Sequence, residues 1–171
     1  MTDNTLLRLI KEAAYTDGSF VTRAGKKTDY YIDKYLFTCQ PHILAPLIEA
    51  FLEIMPDPKS YDHLMAPALG AIALAAPLAY RLEKSLLIFE QLDDTAQVHG
   101  DYQTSDRILV LEDVLTSGST VLDLCRFVAT IPLTVTQIIS VIDREEGAHE
   151  AIAKAGFRSS SLISASKLKH L

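Results

Sequence analysis

At 171 residues the chain is long enough for one domain with a sizeable core, and its 49% hydrophobic and 22% charged content is that of a globular protein rather than a disordered one. A formal net charge of −6 argues against a nucleic-acid surface, which needs a clustered basic face. Cys39 and Cys125 are too few for a disulfide framework and lack metal-ligand spacing, so both are expected as buried, reduced thiols.

The chain opens on the polar Met1-Thr2-Asp3-Asn4, without the basic and then apolar pattern of a secretion signal. Leu6, Leu7, Leu9, Ile10, Ala13 and Ala14 then recur at helical spacing, and that helix is expected to stop near Asp17-Gly18. Residues 19–22 and 28–33 read as two strands joined by the basic turn Arg23-Ala24-Gly25-Lys26-Lys27, a hairpin signature. A helix with Pro41 in its first turn runs to about Ile54. A short strand over residues 61–65 leads through the turn Ala66-Pro67-Ala68-Leu69-Gly70 into a helix ending near Arg81. Residues 66–80 are the longest apolar run; it contains Gly70 and two prolines and is too short to span a bilayer. A cytoplasmic protein without membrane partners is therefore expected.

Residues 85–89 form a continuous apolar strand, and residues 90–106 are polar, without periodicity, and expected to be a mobile loop. Ile108 to Leu111 read as a buried strand, and Val121, Leu122, Leu124, Cys125 and Val128 as a helix after it. Residues 137–142 are another buried strand, residues 148–155 a helix ended by Gly156, and Leu162-Ile163 an edge strand. Unbroken apolar strands alternating with helices predict a parallel sheet covered on both faces. In such sheets ligands bind outside the carboxyl ends of the strands. Five polar features fall at those ends: the turn after Met65, the loop after Phe89, Glu112-Asp113, residues 116–120, and Asp143-Arg144.

The stretch from Arg107 to Thr120 carries the most chemistry. Thr116, Ser117, Ser119 and Thr120 supply hydroxyls, Gly118 lets the backbone approach closely, and a helix begins there, which together make a phosphate cradle. Glu112 and Asp113 would repel a bare phosphate, so they require sugar hydroxyls, a magnesium ion or developing positive charge opposite them. The plain alternative is a strand, a turn and an ordinary Ser/Thr helix cap. Arg23, Lys26 and Lys27 beside Tyr30 and Tyr31 can hold anions while a ring stacks on a flat ligand, although a solvated hairpin tip with core tyrosines has the same composition. Ala68-Leu69-Gly70-Ala71 offers backbone N–H groups suited to a diphosphate, or simply starts an Ala-rich helix. Arg144 can fork onto a carboxylate or carbonyl, or lie in an exposed charged turn.

The string from Arg107 to Thr120 resembles the motif with which type I phosphoribosyltransferases bind 5-phosphoribosyl 1-diphosphate (PRPP). The Tyr30-Tyr31 hairpin and the run Asp143-Arg144-Glu145-Glu146-Gly147 are similar to those of the orotate phosphoribosyltransferases, and the matches run in order from Leu6 to about Gly156. The resemblance implies an α/β fold with a parallel β-sheet flanked by helices and a small N-terminal hairpin hood within about residues 1–40. The whole chain, 1–171, is then a single domain. It implies transfer of the phosphoribosyl group of PRPP to orotate with Mg²⁺ bound mainly through PRPP, and a homodimer. Glu112, Asp113 and His99 would be catalytic, and Thr116, Ser117, Gly118, Ser119 and Thr120 would bind the 5-phosphate. Ala68, Leu69, Gly70 and Ala71 would form the diphosphate loop. Arg23, Lys26, Lys27, Tyr30, Tyr31 and Arg144 would hold the base.

One part of the pattern differs. Where orotate phosphoribosyltransferases carry a loop rich in Arg and Lys, this chain has Phe89-Glu-Gln-Leu-Asp-Asp-Thr-Ala-Gln-Val-His-Gly100, with no Lys or Arg from Ser85 to Asp106. His99-Gly100 is retained. Two alternatives follow: a catalytically weak or inactive PRPP- or nucleotide-binding homologue with a regulatory role, or a phosphoribosyltransferase for another base.

Overall fold

The computed structural model describes residues 4–21, 25, 27–93 and 95–171. Its larger sheet has six strands in the order β5-β4-β3-β6-β7-β8, parallel except for β5 at one edge. These are β3 (His63–Pro67), β4 (Ser85–Gln91), β5 (Ala96–His99), β6 (Asp106–Leu115), β7 (Leu133–Asp143) and β8 (Ser159–Ser164). A separate two-stranded sheet pairs β1 (Tyr15–Val21) with β2 (Lys27–Ile32). The helices are α1 (Asn4–Ala14), α2 (Lys34–Thr38), α3 (Pro41–Ile54), α4 (Ile72–Leu82), α5 (Ser119–Val128), α6 (Ala148–Lys154) and α7 (Ala165–Lys169).

The unbroken apolar strands are buried on both faces, as their composition requires. Leu64, Leu109, Leu111, Ile139 and Val141 join a core with residues of α1, α3 and α4, including Ile10, Leu47, Phe51, Leu74 and Leu78. Their alternates Met65, Ile108, Val110 and Ile138 join a second core with Val121, Leu124, Cys125 and Val128 of α5 and Ile152 of α6. The pleat alone directs neighbouring residues to opposite cores.

From β3 the chain crosses to β4 on one side, while β6 pairs with β3 on the other. The connections leaving β3 and β6 therefore diverge, and such a reversal opens a crevice at the carboxyl ends. Strand β6 pairs with β3 only as far as Met65↔Val110, yet continues along β7 to Leu115↔Asp143. Glu112 and Asp113 lie on that overhang, directly above the crevice.

Several boundaries differ from the sequence expectation. Helix α1 ends at Ala14, and β1 begins at once, taking in Asp17-Gly18, where the pairing with β2 shifts register. Residues 90–106 are not one irregular loop: β4 extends to Gln91 and β5 returns antiparallel against it. The signal lay in the alternation of Ala96 and Val98, packed against the second core, with the more exposed Gln97 and His99. The short helices α2 and α7 were not anticipated, each being five residues long. Cys39, expected to be buried, is exposed at the C-cap of α2, whereas Cys125 is buried in the second core. Thr22, expected at the end of the first hairpin strand, lies outside the described residues. Among the described residues no helix is long and apolar enough to cross a membrane.

Candidate active site

The end of β6 brings two carboxylates out of water. Glu112 is 6% exposed and Asp113 1%. The Asp113 backbone N–H donates to Glu112 Oε1 at 3.0 Å, and the Val114 N–H donates to Asp113 Oδ1 at 2.6 Å. Asp113 Oδ2 accepts no hydrogen bond, and its charge is met instead by Lys34 Nζ at 3.0 Å. With this one ion pair and no hydrogen-bond donor on the oxygen, a buried lone pair stays open. Burial, then the neighbouring Asp113 charge, pushes the Glu112 carboxyl well above the usual carboxylate range. For Lys34, burial pulls the ammonium's pKa down, but the Asp113 carboxylate outweighs it and leaves the pKa above its ordinary value.

The turn after β3 closes over this pair. Ala68 N–H donates to Phe89 O at 2.8 Å and Ile72 N–H to Leu69 O at 3.2 Å, which bends the chain into α4. Leu69 is exposed at 74%, while Gly70 is buried. A methyl group on Gly70 would lie 1.8 Å from Asp113 Oδ2 and 2.3 Å from Lys34 Nζ. Glycine is thus required by close approach, and the turn, Asp113 and Lys34 meet at one point.

On the next connection, Gly118 stands at the N-cap of α5 with φ of +78°, a left-handed conformation that favours glycine. It offers no capping side chain, and Ser117 Oγ accepts only a long 3.4 Å bond from the Ser119 N–H. Ser117, Ser119 and Thr120 are exposed around the helix start, with Thr116 half-buried behind them. Free N–H groups, hydroxyls and the positive end of the helix dipole make this an anion cradle.

The hairpin and the end of β7 border an open cavity of about 830 Å³ lined by Gly18, Ser19, Lys27, Thr28, Asp29, Tyr30 and Arg144 to Glu146. The Arg144 guanidinium lies 4.8 Å over the Tyr30 ring and donates to Tyr30 Oη and Thr28 Oγ1, each at 3.3 Å. It is also paired with Glu146 at 3.1 Å. Tyr30 stacks on Tyr15 with centroids 5.3 Å apart and an interplanar angle of 8°. Tyr31, one residue along the strand, points the other way and packs on Phe20. Arg23 and Lys26 lie outside the described residues.

His99 is farther out. It is exposed on β5 and contacts Glu90 Oε2 at 2.8 Å, an oxygen that also accepts from Gln97 at 2.9 Å. The His99 contact, then the Gln97 bond, holds the Glu90 carboxyl below its ordinary value.

The chain is similar along nearly its whole length to curated archaeal proteins. It is 32% identical to the orotate phosphoribosyltransferase of Natronomonas pharaonis over 98% of each chain. The chain is 34% identical to that of Pyrococcus horikoshii over 98% of this chain and 93% of the other. It belongs to the orotate phosphoribosyltransferase family. The crystal structure of the orotate phosphoribosyltransferase from Aeropyrum pernix superposes with a TM-score of 0.89 at 26% identity, covering 96% of each chain. No protein-family model matches the chain. An orotate phosphoribosyltransferase fold thus accounts for the helix-flanked parallel sheet and the small hairpin sheet together.

Two side chains at the site escaped the sequence reading. Lys34 follows the Tyr-Tyr-Ile-Asp hairpin end, and only the three-dimensional return of α2 carries it to Asp113. Thr28 lies on β2, as the strand pattern predicts, and its hydroxyl accepts from Arg144, a contact the pattern does not show. A lysine directly after a motif-bearing strand was the available signal for the first; nothing in the sequence marked the second.

Proposed function

We propose that this chain transfers the 5-phosphoribosyl group of PRPP to orotate, giving orotidine 5′-phosphate and diphosphate. The bond from ribose C1 to the diphosphate oxygen breaks with both electrons leaving on diphosphate. A bond forms between C1 and a ring nitrogen of orotate, whose proton is lost. The observation that carries this reading is the buried Glu112-Asp113 pair, two acids with too little positive charge against them. Such a pair is stabilised by ribose hydroxyls that donate to it and by the cationic character that grows on the sugar during transfer.

In this reading the hydroxyl loop from Thr116 to Thr120 holds the 5-phosphate, and the turn from Ala68 to Ala71 faces the diphosphate. Arg144 and Tyr30 receive the anionic, planar base, with Glu146 yielding its place on Arg144 to the orotate carboxylate. Mg²⁺ suits the site as a companion of the substrate. Among the described residues no group of three or more His, Cys, Asp or Glu side chains could hold a metal alone. The open lone pair of Asp113 Oδ2 fits a cation that arrives with the sugar. When bound, Mg²⁺ would offset negative charge on the diphosphate. A homodimer and a cytoplasmic location go with this reading.

The β4–β5 arm favours a slow enzyme: residues 85–106 contain no Lys or Arg, and Glu90 and Asp93 add negative charge. The test is direct. Purified protein with orotate, PRPP and Mg²⁺ is expected to consume orotate and release diphosphate stoichiometrically. No turnover at micromolar enzyme, with PRPP binding retained in calorimetry, would instead support a non-catalytic binding role. Turnover with a different base would reassign the acceptor.

A further inference from the structure

We propose that Lys34 is the chain's own diphosphate-facing cation: as the sugar hydroxyls engage Asp113, its ammonium turns to the adjoining Gly70 turn and meets the departing diphosphate. This rests on the transferase reading above.

Lys34 Nζ already touches both halves of the site, lying 3.0 Å from Asp113 Oδ2 and close enough to Gly70 that a methyl there would be 2.3 Å away. Among the described residues the ion pairs give Asp113 no other cationic partner. Arg144 is engaged by Glu146, Tyr30 and Thr28, and Lys84 donates to Tyr61 O at the amino-terminal end of β3. The turn itself, Ala68-Leu69-Gly70-Ala71, carries no charge. The arm is without Lys or Arg, and Lys34 is the cation whose side chain lies against Gly70 of this turn.

Lys34 is held ready for this task. It is the first residue of α2, whose N-cap Asp33 accepts the Tyr35 N–H at 3.0 Å and donates its own N–H to Ala14 O at 2.9 Å. Buried Thr38 donates to Lys34 O at 2.8 Å, closing the short helix from the other end. The backbone is therefore fixed while the side chain, 37% exposed, can still swing. Only the side chain has to move, and once turned its charge meets the negative charge that grows on the leaving group. The missing methyl of Gly70 provides the room in which Lys34 and Asp113 meet.

The experiment compares wild type, Lys34→Gln, Lys34→Arg, Gly70→Ala and the Lys34→Gln/Gly70→Ala double variant in both reaction directions. Lys34→Gln is expected to lower kcat by about 10²-fold. The KM for diphosphate in the reverse reaction should rise at least severalfold, with KM for orotate little changed. Lys34→Arg should recover much of the loss. Gly70→Ala should reproduce the defect with the lysine present, and the double variant should be no worse than the poorer single one. Wild-type kcat in Lys34→Gln would overturn the proposal. So would an equal rise in KM for orotate and diphosphate, or additive losses in the double variant. If Lys34→Gln fails to fold, Lys34→Met, which keeps most of the length of the side chain and removes its charge, decides by the same diphosphate readout. If wild type itself shows no turnover with orotate, the transferase reading fails, and calorimetry of magnesium diphosphate on wild type and Lys34→Gln still judges the lysine: weaker binding to Lys34→Gln supports it, and equal binding to both overturns it.

Discussion

The two ends of strand β6 handle charge in opposite ways. At its start, Asp106 Oδ2 contacts His63 Nε2 at 2.8 Å and accepts the Gln103 N–H at 2.6 Å. Beside it Arg107 gives Asp62 three hydrogen bonds of 2.9 to 3.0 Å, from its backbone N–H, Nε and Nη2. At its end, buried Glu112 and Asp113 have one lysine between them, and one carboxylate oxygen has no hydrogen bond. The protonation preferences follow. Hydrogen bonds from Arg107 hold the Asp62 carboxyl far below the usual carboxylate range, and the Gln103 N–H, then His63, hold Asp106 below it. Burial and a like charge drive Glu112 up. A structural charge is answered within the fold, whereas the acids at the strand end are left with one lysine and a carboxylate oxygen without a hydrogen bond.

The largest break in this comparison comes from Asp113→Asn. It removes the charge that the sugar and its developing cation would meet, so kcat is expected to fall by about 10²–10³-fold. Thermal stability should change little, because the lost ion pair with half-exposed Lys34 is offset by easier burial of Glu112 beside a neutral neighbour. Steady-state kinetics paired with thermal melting checks both halves. A large loss of stability would mean that Asp113 is a structural residue like Asp62, and the contrast between the strand ends would vanish.

Much of this was legible beforehand because the motifs are local. A buried strand, two acids, a hydroxyl-rich turn with a glycine and a helix start all lie within residues 107–128, so the cradle at Gly118 could be read from one stretch. The parallel sheet followed from unbroken apolar runs, and the hairpin from its basic turn. What escaped was long-range or marginal. Lys34 reaches Asp113 across 79 positions through a five-residue helix with no periodicity to announce it. Strand β5 contributes two apolar side chains to an exposed edge, too few to outweigh the polar character of residues 90–106. The division between Tyr30 and Tyr31 required the pleat of β2 to be known in register: one ring meets Arg144 and the other packs on Phe20.

A charge deficit at the strand end also implies that added positive charge nearby should help. Asp93 is exposed in the connection between β4 and β5, on the arm that rises from the carboxyl end of β4. Asp93→Arg is expected to raise kcat severalfold at low ionic strength and less as salt is added, since an exposed side chain is screened. Rates measured across a salt series test this. A variant indistinguishable from wild type at every salt concentration would place the arm away from the diphosphate in the reacting state and leave Lys34 as the nearer cation.

The smallest expected effects, a few degrees in Tm, give the cleanest opposition because they run in opposite directions with pH. Glu112 keeps its proton in the folded chain at pH values where the unfolded chain has lost it, so the fold loses stability as pH rises above about 4. Glu112→Gln removes that penalty while preserving the oxygen that accepts the Asp113 N–H. Its advantage in Tm over wild type should be near zero at pH 4 and positive at pH 7. Asp62 releases its proton more readily when folded, so its contribution is present above about pH 4 and fades as pH falls. Asp62→Asn should therefore melt below wild type at pH 7, with the gap narrowing under acid. Its kcat should stay near wild type, because Asp62 pairs with the far end of the strand from the acid pair. Parallel rather than opposed pH trends in the two variants would mean that Glu112 is solvated or paired in solution, and the strand would then have no end set aside for substrate.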